Sequence, residues 1–261
     1  MTILYAAPVF PREVTFPPNI SGQSLPKKRS TKLYFGQPNA HEDTQLHVTQ
    51  MLFPLPSVKE NFSELLDMWF EQDKHLRSVN DLFLGTFYDD RMHQSSKYLN
   101  LVQALESYHR MTHEGKYILK SDYQNYLKMI DPLLAPIVPA ILKESLRTKL
   151  KYANEYMLKD RLDEIFDEIG IDLESLITKE RAKYIRKIID TRNSLVHNLS
   201  ALRNRSFAGL DLSVAIEKIR YLLLILSLRD LGIQDQAIFD SIRNNGNYLR
   251  TAYKEMKYSA K

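Results

Sequence analysis

The stretch YIRKIIDTRNSLVHNL, residues 184–199, decides the fold class because its apolar residues recur at helical spacing. On a helix of about 100° per residue, six apolar side chains lie within about 60° of Arg192: Ile185, Ile188, Ile189, Leu195, Val196 and Leu199. Arg192 therefore stands at the centre of an apolar face, where an unpaired guanidinium would be costly. Either it forms an ion pair with a neighbouring helix, for which Glu106 is a candidate, or the face borders a cleft or a second subunit and the guanidinium binds a phosphate.

His197 follows Arg192 by five residues, which is about 140° around an ideal helix. The two side chains therefore do not lie one above the other as an i, i+4 pair would. They can converge only near a helix end, or across a two-fold axis that brings two copies of the segment together.

Proline divides the chain, since eight of its 11 prolines precede residue 57. The first part carries two strand-like pieces, TKLYF at 31–35 and the alternating QLHVTQML at 45–52. We interpret residues 1–57 as an N-terminal extension that is partly β, and residues 58–261 as one helical domain. The predicted fold class is an all-α helical bundle.

Apolar periodicity places the helices of this domain. Seven segments show it: 58–76, 95–111, 121–146 (two short helices broken near Pro132), 151–169, 178–198, 211–231 and 234–245. Gly170 and Gly232 are predicted to end two of these helices, because glycine adopts the left-handed conformation that follows a helix.

Charge changes sign between two neighbouring segments. Residues 152–178 hold eight acids and two bases, and residues 179–205 hold eight bases and two acids. Either two helices pair through complementary faces, or the basic segment meets a polyanionic ligand. In the second case the RNA-binding candidates are Lys183, Arg186, Lys187, Arg203 and Arg205.

Composition excludes several other classes of protein. The chain has no cysteine, which excludes disulfides and thiolate zinc sites and is typical of a reducing cytoplasm, the expected location. The longest strongly apolar run, at 221–228, is far shorter than the ~20 residues of a membrane span, and we expect neither a membrane association nor a signal peptide. No cofactor motif is present, and the cluster His41, Glu42, Asp43 and His47 is interpreted as solvated side chains, so no metal site is predicted. His109 is expected to be a satisfied core histidine.

Five blocks of the sequence together resemble a known family. DTRNSLVHN is similar to the RNxxxH signature of HEPN domains, which are helical modules of prokaryotic ribonucleases, toxins and phage-defence proteins. The order of the blocks resembles the C-terminal HEPN region of ApeA-like abortive-infection proteins over about residues 58–245. They are NFSELLDMWF, YLNLVQALESYHR, RLDEIFDEI, IIDTRNSLVHN and LLLILSLRDLGI.

The resemblance implies a homodimer whose composite cleft holds the arginine and the histidine of both subunits and cuts RNA without a metal ion. Arg192, Asn193 and His197 match the motif, and Glu106 matches a recurrent acid of the QALE block. Asn198 departs from the pattern, since the family often has an aromatic residue there. The first 57 residues can be interpreted as the remnant of a sensing domain, and a phage-derived trigger or a regulatory protein is a further expected partner.

Two hypotheses follow for the function. The first is a metal-independent endoribonuclease that acts in phage defence, in which histidine transfers protons and arginine stabilises the charged phosphorane. The second is a non-catalytic HEPN-type helical module that binds RNA or a partner protein, with the motif arginine serving the fold.

Overall fold

A computed structural model describes residues 49, 51–53, 58–89 and 91–259, together with two short strands nearer the N-terminus. Strands β1 (Glu13–Phe16) and β2 (Thr31–Tyr34) pair antiparallel, with Glu13 opposite Tyr34. The strand expected at 31–35 is thus confirmed over residues 31–34. The alternating stretch 45–52 was expected to be strand-like, but its described residues, Thr49, Met51 and Leu52, do not lie in a strand. Residues 45–48 and the cluster His41, Glu42, Asp43 and His47 lie outside the described residues.

Within the described residues, nine α-helices and one 3₁₀ helix follow, which confirms the predicted all-α bundle. The helices are α1 (Phe62–Tyr88), α2 (Gln94–Thr112), α3 (Lys120–Ile137), α4 (Ala140–Tyr152), α5 (Leu158–Ile177), α6 (Arg181–His197), the 3₁₀ helix (Ser200–Arg205), α7 (Gly209–Asp230), α8 (Asp235–Arg243) and α9 (Gly246–Ser259).

Helix α7 forms the centre of the bundle because it is apolar on almost every side. A helix that is hydrophobic all round is buried, and most residues between 212 and 228 are indeed buried. Helices α1, α2, α5, α8 and α9 all contact α7, while α6 packs against α2 and α5. Leu52, which precedes the helices, is 3% exposed and belongs to the same core.

Glycine ends or interrupts helices at the two predicted positions. Gly170 adopts φ 76° and ψ 170° and divides α5 into two helical pieces. Gly232 adopts φ 73° after α7, where its N–H donates to Arg229 O at 2.8 Å and Ile233 N–H donates to Leu228 O at 3.1 Å. These bonds satisfy carbonyls that the end of a helix leaves without partners.

Several predicted helix boundaries are wrong, and the first helix, expected at 58–76, extends instead from Phe62 to Tyr88. Helix α3 continues through both Pro132 and Pro136. The break expected near Pro132 therefore occurs later, at Val138 and Pro139. Pro132 is exposed, so water can solvate the carbonyl that loses its helical partner there. The helix expected from residue 151 begins only at Leu158, after a turn that follows α4.

Helices α3 and α4 form a hairpin that projects from the bundle. None of the described side chains between residues 116 and 153 is buried. Arg147 binds Asp131 with two nitrogens, Nη2 donating to Oδ2 at 2.9 Å, and this fork holds the two helices together. At the base of the hairpin the Asn154 side chain clasps Ile118, accepting from its N–H at 3.0 Å and donating to its carbonyl at 2.8 Å.

Candidate functional site

The first half of α6 is fixed in the core and thereby positions the motif that follows it. Ile185 and Ile188 are 1% and 0% exposed. The buried hydroxyl of Tyr98 on α2 donates to Ile188 O at 2.8 Å, and burial raises the pKa of that phenol. This bond sets the position of α6 relative to α2 one turn before Arg192.

Thr191 ties the segment after α6 back to the helix. Its hydroxyl donates to Lys187 O at 2.7 Å and accepts from the N–H of Phe207 at 2.8 Å. Phe207 in turn packs edge-on against Tyr184 and Tyr98. The backbone beside Arg192 is therefore held on both sides.

Arg192 is only partly buried and borders an open cleft between α2 and α6. The cleft has a volume of about 240 Å³. Its lining comprises Leu99, Asn100, Val102, Gln103, Glu106, Arg192 and Val196. Within the part of the chain that the structure describes, Arg192 makes no ion pair, and its Nη1 donates only to Asn193 Oδ1, at 3.2 Å. Of the two interpretations of this arginine, the geometry favours the one in which it faces a cleft.

Glu106 lines the same cleft but is paired elsewhere. Its carboxylate accepts from Arg110 Nη2 at 3.1 Å, and Arg110 Nη1 also donates to Glu155 at 2.6 Å. The structural ion pair between Glu106 and Arg192, one of the two interpretations from the sequence, is thus not formed.

His197 is the last residue of α6 and is exposed. The next residue, Asn198, adopts φ 49° and ψ 42°, the left-handed conformation that ends a helix. Asparagine tolerates this conformation better than aromatic or branched residues do. The departure from the family pattern at position 198 therefore has a local structural role, since it stops α6 immediately after the histidine.

The second half of the predicted apolar face is not buried. Leu195, Val196 and Leu199 are 37%, 50% and 46% exposed. Val196 lines the Arg192 cleft, and Leu195 and Leu199 lie at or just beyond the end of α6. The apolar face predicted for residues 184–199 is therefore buried in its first half and exposed in its second half.

The predicted RNA-binding residues fall into two groups. Three are paired, Lys183 with Glu180 at 3.0 Å, Lys187 with Asp211 at 3.3 Å and Arg205 with Asp190 at 3.5 Å. Arg186 and Arg203 are exposed and make no ion pair with any other described residue. These two are the cations of the set that remain available to a phosphate.

Pairing between the acidic and the basic segment depends on one residue, Arg181. It binds Asp167 and Glu174 of α5. Most other acids of residues 152–178 face partners outside the basic segment: Glu155 binds Arg110, Glu164 binds His109, and Glu168 lies near His113 and Arg229. Helix pairing therefore accounts for little of the positive charge on α6.

A buried cluster of hydrogen-bonded side chains surrounds Arg161. This cluster was not predicted from the sequence. This side chain is 2% exposed, and its Nη1 donates to His109 Nδ1 at 2.9 Å. Because arginine can only donate, His109 Nδ1 must accept, and Nε2–H then donates to Glu164 at 2.7 Å. His109 is therefore a neutral imidazole satisfied on both nitrogens, as expected of a core histidine, and burial lowers its pKa.

The sequence does contain a pattern that indicates burial of Arg161. Arg161 precedes Ile165 by one helical turn and adjoins Leu162, so it lies on the apolar face of α5 just as Arg192 lies on that of α6. Gly115 closes the cluster at φ 54°, where a Cβ atom would lie 2.8 Å from Arg161 Nη1.

Across the described ranges, no group of three or more His, Cys, Asp or Glu side chains is arranged to hold a metal ion. Among the helices that the structure describes, none is sufficiently long and apolar to cross a bilayer.

The comparison with known families identifies the helical bundle as a HEPN-type module. Comparison with protein families matches residues 99–237, just over half of the chain, to the family described as Apea-like HEPN. The chain belongs to this family, which confirms the resemblance seen in its sequence. The matched region contains the RNxxxH motif and begins within the YLNLVQALESYHR block, so NFSELLDMWF precedes it. Comparisons with curated proteins and with solved structures gave no match.

Proposed function

We propose that the chain is a metal-independent endoribonuclease of a phage-defence type, acting as a homodimer with a composite site. The observation that carries the proposal is the position of Arg192, which borders an open cleft with no carboxylate paired to it among the described residues. A guanidinium in that state is available to a phosphate, which it binds with a planar fork of donors.

The chemistry needs few groups because RNA carries its own nucleophile. The 2′-hydroxyl attacks the adjacent phosphorus, the new P–O2′ bond forms, and the P–O5′ bond breaks to leave a cyclic phosphate and a 5′-hydroxyl. One histidine accepts the proton of the 2′-hydroxyl and a second donates a proton to the departing 5′-oxygen. In a dimer these are His197 and the partner subunit's His197.

Arg192 and Asn193 have supporting roles in this reaction. Arg192 stabilises the charge that develops on the phosphorane. Asn193, whose Oδ1 accepts from Arg192, keeps its amide N–H groups for a phosphate oxygen. Glu106 lies on the far wall of the same cleft, where it holds Arg110 and excludes a second anion from the α2 side.

Homodimer formation is supported by the surface around the site. Leu195, Val196 and Leu199 are partly exposed on the same helix end as His197. Apolar surface of this kind is characteristic of association sites. Contact through this patch would bring two copies of α6 together. Arg192 and His197, which do not lie one above the other on a single helix, would then converge across the two-fold axis.

The second candidate is a non-catalytic HEPN-type module that binds RNA or a partner protein. One observation favours it, since no described residue hydrogen-bonds His197 and orients its imidazole. A proton-transfer histidine is normally positioned by such a partner, and in the ribonuclease proposal the dimer must supply it.

The experiment that tests the proposal is incubation of the pure protein with total cellular RNA in EDTA. The wild type is expected to cut RNA, and His197→Ala is expected to lose the activity while His75→Ala, which removes another exposed histidine, retains it. Binding of RNA without cleavage by the wild type would favour the non-catalytic module. In a defence role a phage-derived trigger or a regulatory protein would control the activity, and residues 1–57 would be the remnant of the sensing domain.

A further inference from the structure

A second cleft lies away from the Arg192 site and has a volume of about 380 Å³. It is bordered by the end of α1, the start of α2, one face of α7 and α9. Its volume falls within the range of small-molecule sites, about 300–1,000 Å³. A single phosphate group would fill only part of it.

The cleft is strongly cationic. Four basic side chains border it, namely Lys97, Arg220, Arg250 and Lys254, against the single carboxylate of Glu217. Glu217 is already paired with Arg220 at 2.7 Å. Lys97, Arg250 and Lys254 make no ion pair with any side chain that the structure describes, so three positive charges remain uncompensated.

Arg220 is held rigidly at the wall of the cleft. Its guanidinium lies over the Phe87 ring, 4.5 Å from the centroid, and donates to Thr86 Oγ1 at 3.1 Å and to Thr86 O. With the bond to Glu217, three of its five N–H groups are used. The remaining donors and the free face of the guanidinium plane are pre-positioned without further loss of rotamer entropy.

Neutral groups complete a mixed lining. Ser213 Oγ accepts from Gln94 Nε2 at 2.8 Å and therefore keeps its own proton for a ligand. Val214 and Leu224 add apolar surface, and Asn247 adds an amide. A lining of cations, hydroxyl, amide and apolar side chains fits a ligand with a phosphate end and a flat heterocyclic end.

A neighbouring cleft favours a small-molecule ligand over a nucleic-acid strand. This neighbouring cleft is smaller, shares Val214 and Lys254 with the cationic cleft and continues toward α6. Its own three lysines are all paired, Lys187 with Asp211, Lys218 with Glu255 and Lys183 with Glu180. A strand running from one cleft to the other would pass from uncompensated cations to cations that are already paired with carboxylates, so the charge pattern favours a ligand confined to the cationic cleft.

Many of the residues that line the cleft lie outside the region that matches the family. Thr86, Phe87 and Lys97, together with the α9 residues Asn247, Arg250 and Lys254, lie outside the matched region 99–237. Only the α7 face lies within it. We propose that this cleft is a binding site for a free nucleotide, with the phosphates at Lys97, Arg250 and Lys254 and the base against Arg220. The site is independent of the ribonuclease proposal.

The test is calorimetric titration of the full chain with ATP in EDTA, beside inorganic phosphate and a labelled single-stranded RNA. ATP is expected to bind, and Arg250→Glu with Lys254→Glu is expected to weaken it by roughly tenfold for each charge-assisted contact removed. The matched control is Lys120→Glu with Lys149→Glu, which makes the same change of charge on the projecting hairpin. Neither Arg250 nor Lys254 is buried, so both double variants should melt as the wild type does.

Three results would overturn the proposal: no heat of ATP binding at millimolar concentration, phosphate binding as tightly as ATP, or equal ATP affinity in both double variants. If RNA instead lost affinity in the cleft variant while ATP did not bind, the cleft would be part of an RNA path. Should the double variant fail to fold, Lys97→Gln provides the same comparison with one substitution. Arg192→Ala is expected to keep ATP affinity, so the outcome does not depend on nuclease activity.

Discussion

Arg192 and Glu106 face one another across the same cleft without forming an ion pair, because Glu106 is bound to Arg110 and Arg192 donates to Asn193. The buried arginine of this fold is Arg161, which is 2% exposed and bonded to His109 and Tyr156. The two arginines look alike on helical wheels, yet one is structural and the other faces an open cleft. They should respond differently to truncation.

Arg192→Ala is expected to leave the free energy of unfolding within about 1 kcal/mol of the wild type, because no described carboxylate loses its partner. Arg161→Ala is expected to cost about 3–5 kcal/mol, since it strands buried hydrogen-bonding groups. Urea unfolding followed by circular dichroism measures both. RNA cleavage should be lost in Arg192→Ala even though the protein remains folded. An Arg192→Ala variant that unfolds, or that cuts RNA normally, would contradict the assignment of Arg192 to the site.

His197→Ala separates catalysis from folding. His197 is exposed at the end of α6, so its removal should leave the melting temperature within a few degrees. If it transfers a proton, cleavage should fall by roughly 10²-fold or more. Initial rates on a labelled RNA, with His75→Ala as the control, measure the effect. Equal rates for the two variants would leave only the binding function.

Val196→Asp tests the dimer. Val196 is 50% exposed, so a carboxylate there costs the monomer little, but it would be buried in a contact through the apolar end of α6. Light scattering at tens of micromolar is expected to show a dimer for the wild type and a monomer for the variant. Ile171→Asp, at a side chain 83% exposed on α5, is the matched control and should remain dimeric. A wild type that is monomeric at this concentration would remove the composite site.

Unpaired cations should contribute more to RNA affinity than paired ones. Arg186→Gln and Arg203→Gln are expected to lower the affinity and to reduce the slope of log K against log salt by about 0.7 each on single-stranded RNA. Lys183→Gln should have a smaller effect, because its ammonium is already paired with Glu180. Fluorescence anisotropy over a range of salt concentrations measures the slopes. A larger effect at Lys183 than at Arg186 would show that the ion pairs open when RNA binds.

Stability should fall as the pH is lowered toward the folded-state pKa of His109. Burial lowers that pKa, while the unfolded chain keeps a value of about 6.5. The unfolded state therefore binds more protons below neutrality, and stability is lost as the pH falls through about 6.5. The raised pKa of Asp230, caused by burial, acts in the opposite sense. Melting curves of the wild type and His109→Gln between about pH 7.5 and 5.5 should differ in slope, with that of the variant flatter.

Apolar periodicity predicted which segments form helices, but not how much of each helix is covered by its neighbours. Residues 184–199 have one continuous apolar face on a helical wheel, yet only its first half is buried, and Val196 and Leu199 stay exposed. A helical wheel does not show how far a neighbouring helix extends along the helix axis. The same limit explains why the sequence left open whether Arg192 forms a buried ion pair or borders a cleft.

The binding partners of charged side chains were also difficult to predict from the sequence. Arg161 is one of two bases among the eight acids of residues 152–178, so the sequence does not indicate which groups it binds. Its partners, His109 and the Tyr156 carbonyl, come from a helix 52 residues away in sequence and from a turn. The cationic cleft likewise joins α2, α7 and α9, and no local pattern relates Lys97 to Lys254.

The clasp between Asn154 and Ile118 brings the two ends of the projecting hairpin together, and Lys116 and Glu155 pair beside it as antiparallel backbone. Everything between these points leaves and re-enters the bundle through one narrow neck and contributes no described buried side chain to the core. Such a segment behaves as a removable module, since a short turn across the neck can replace it. A reporter domain inserted between residues 118 and 154 is therefore expected to leave both clefts intact.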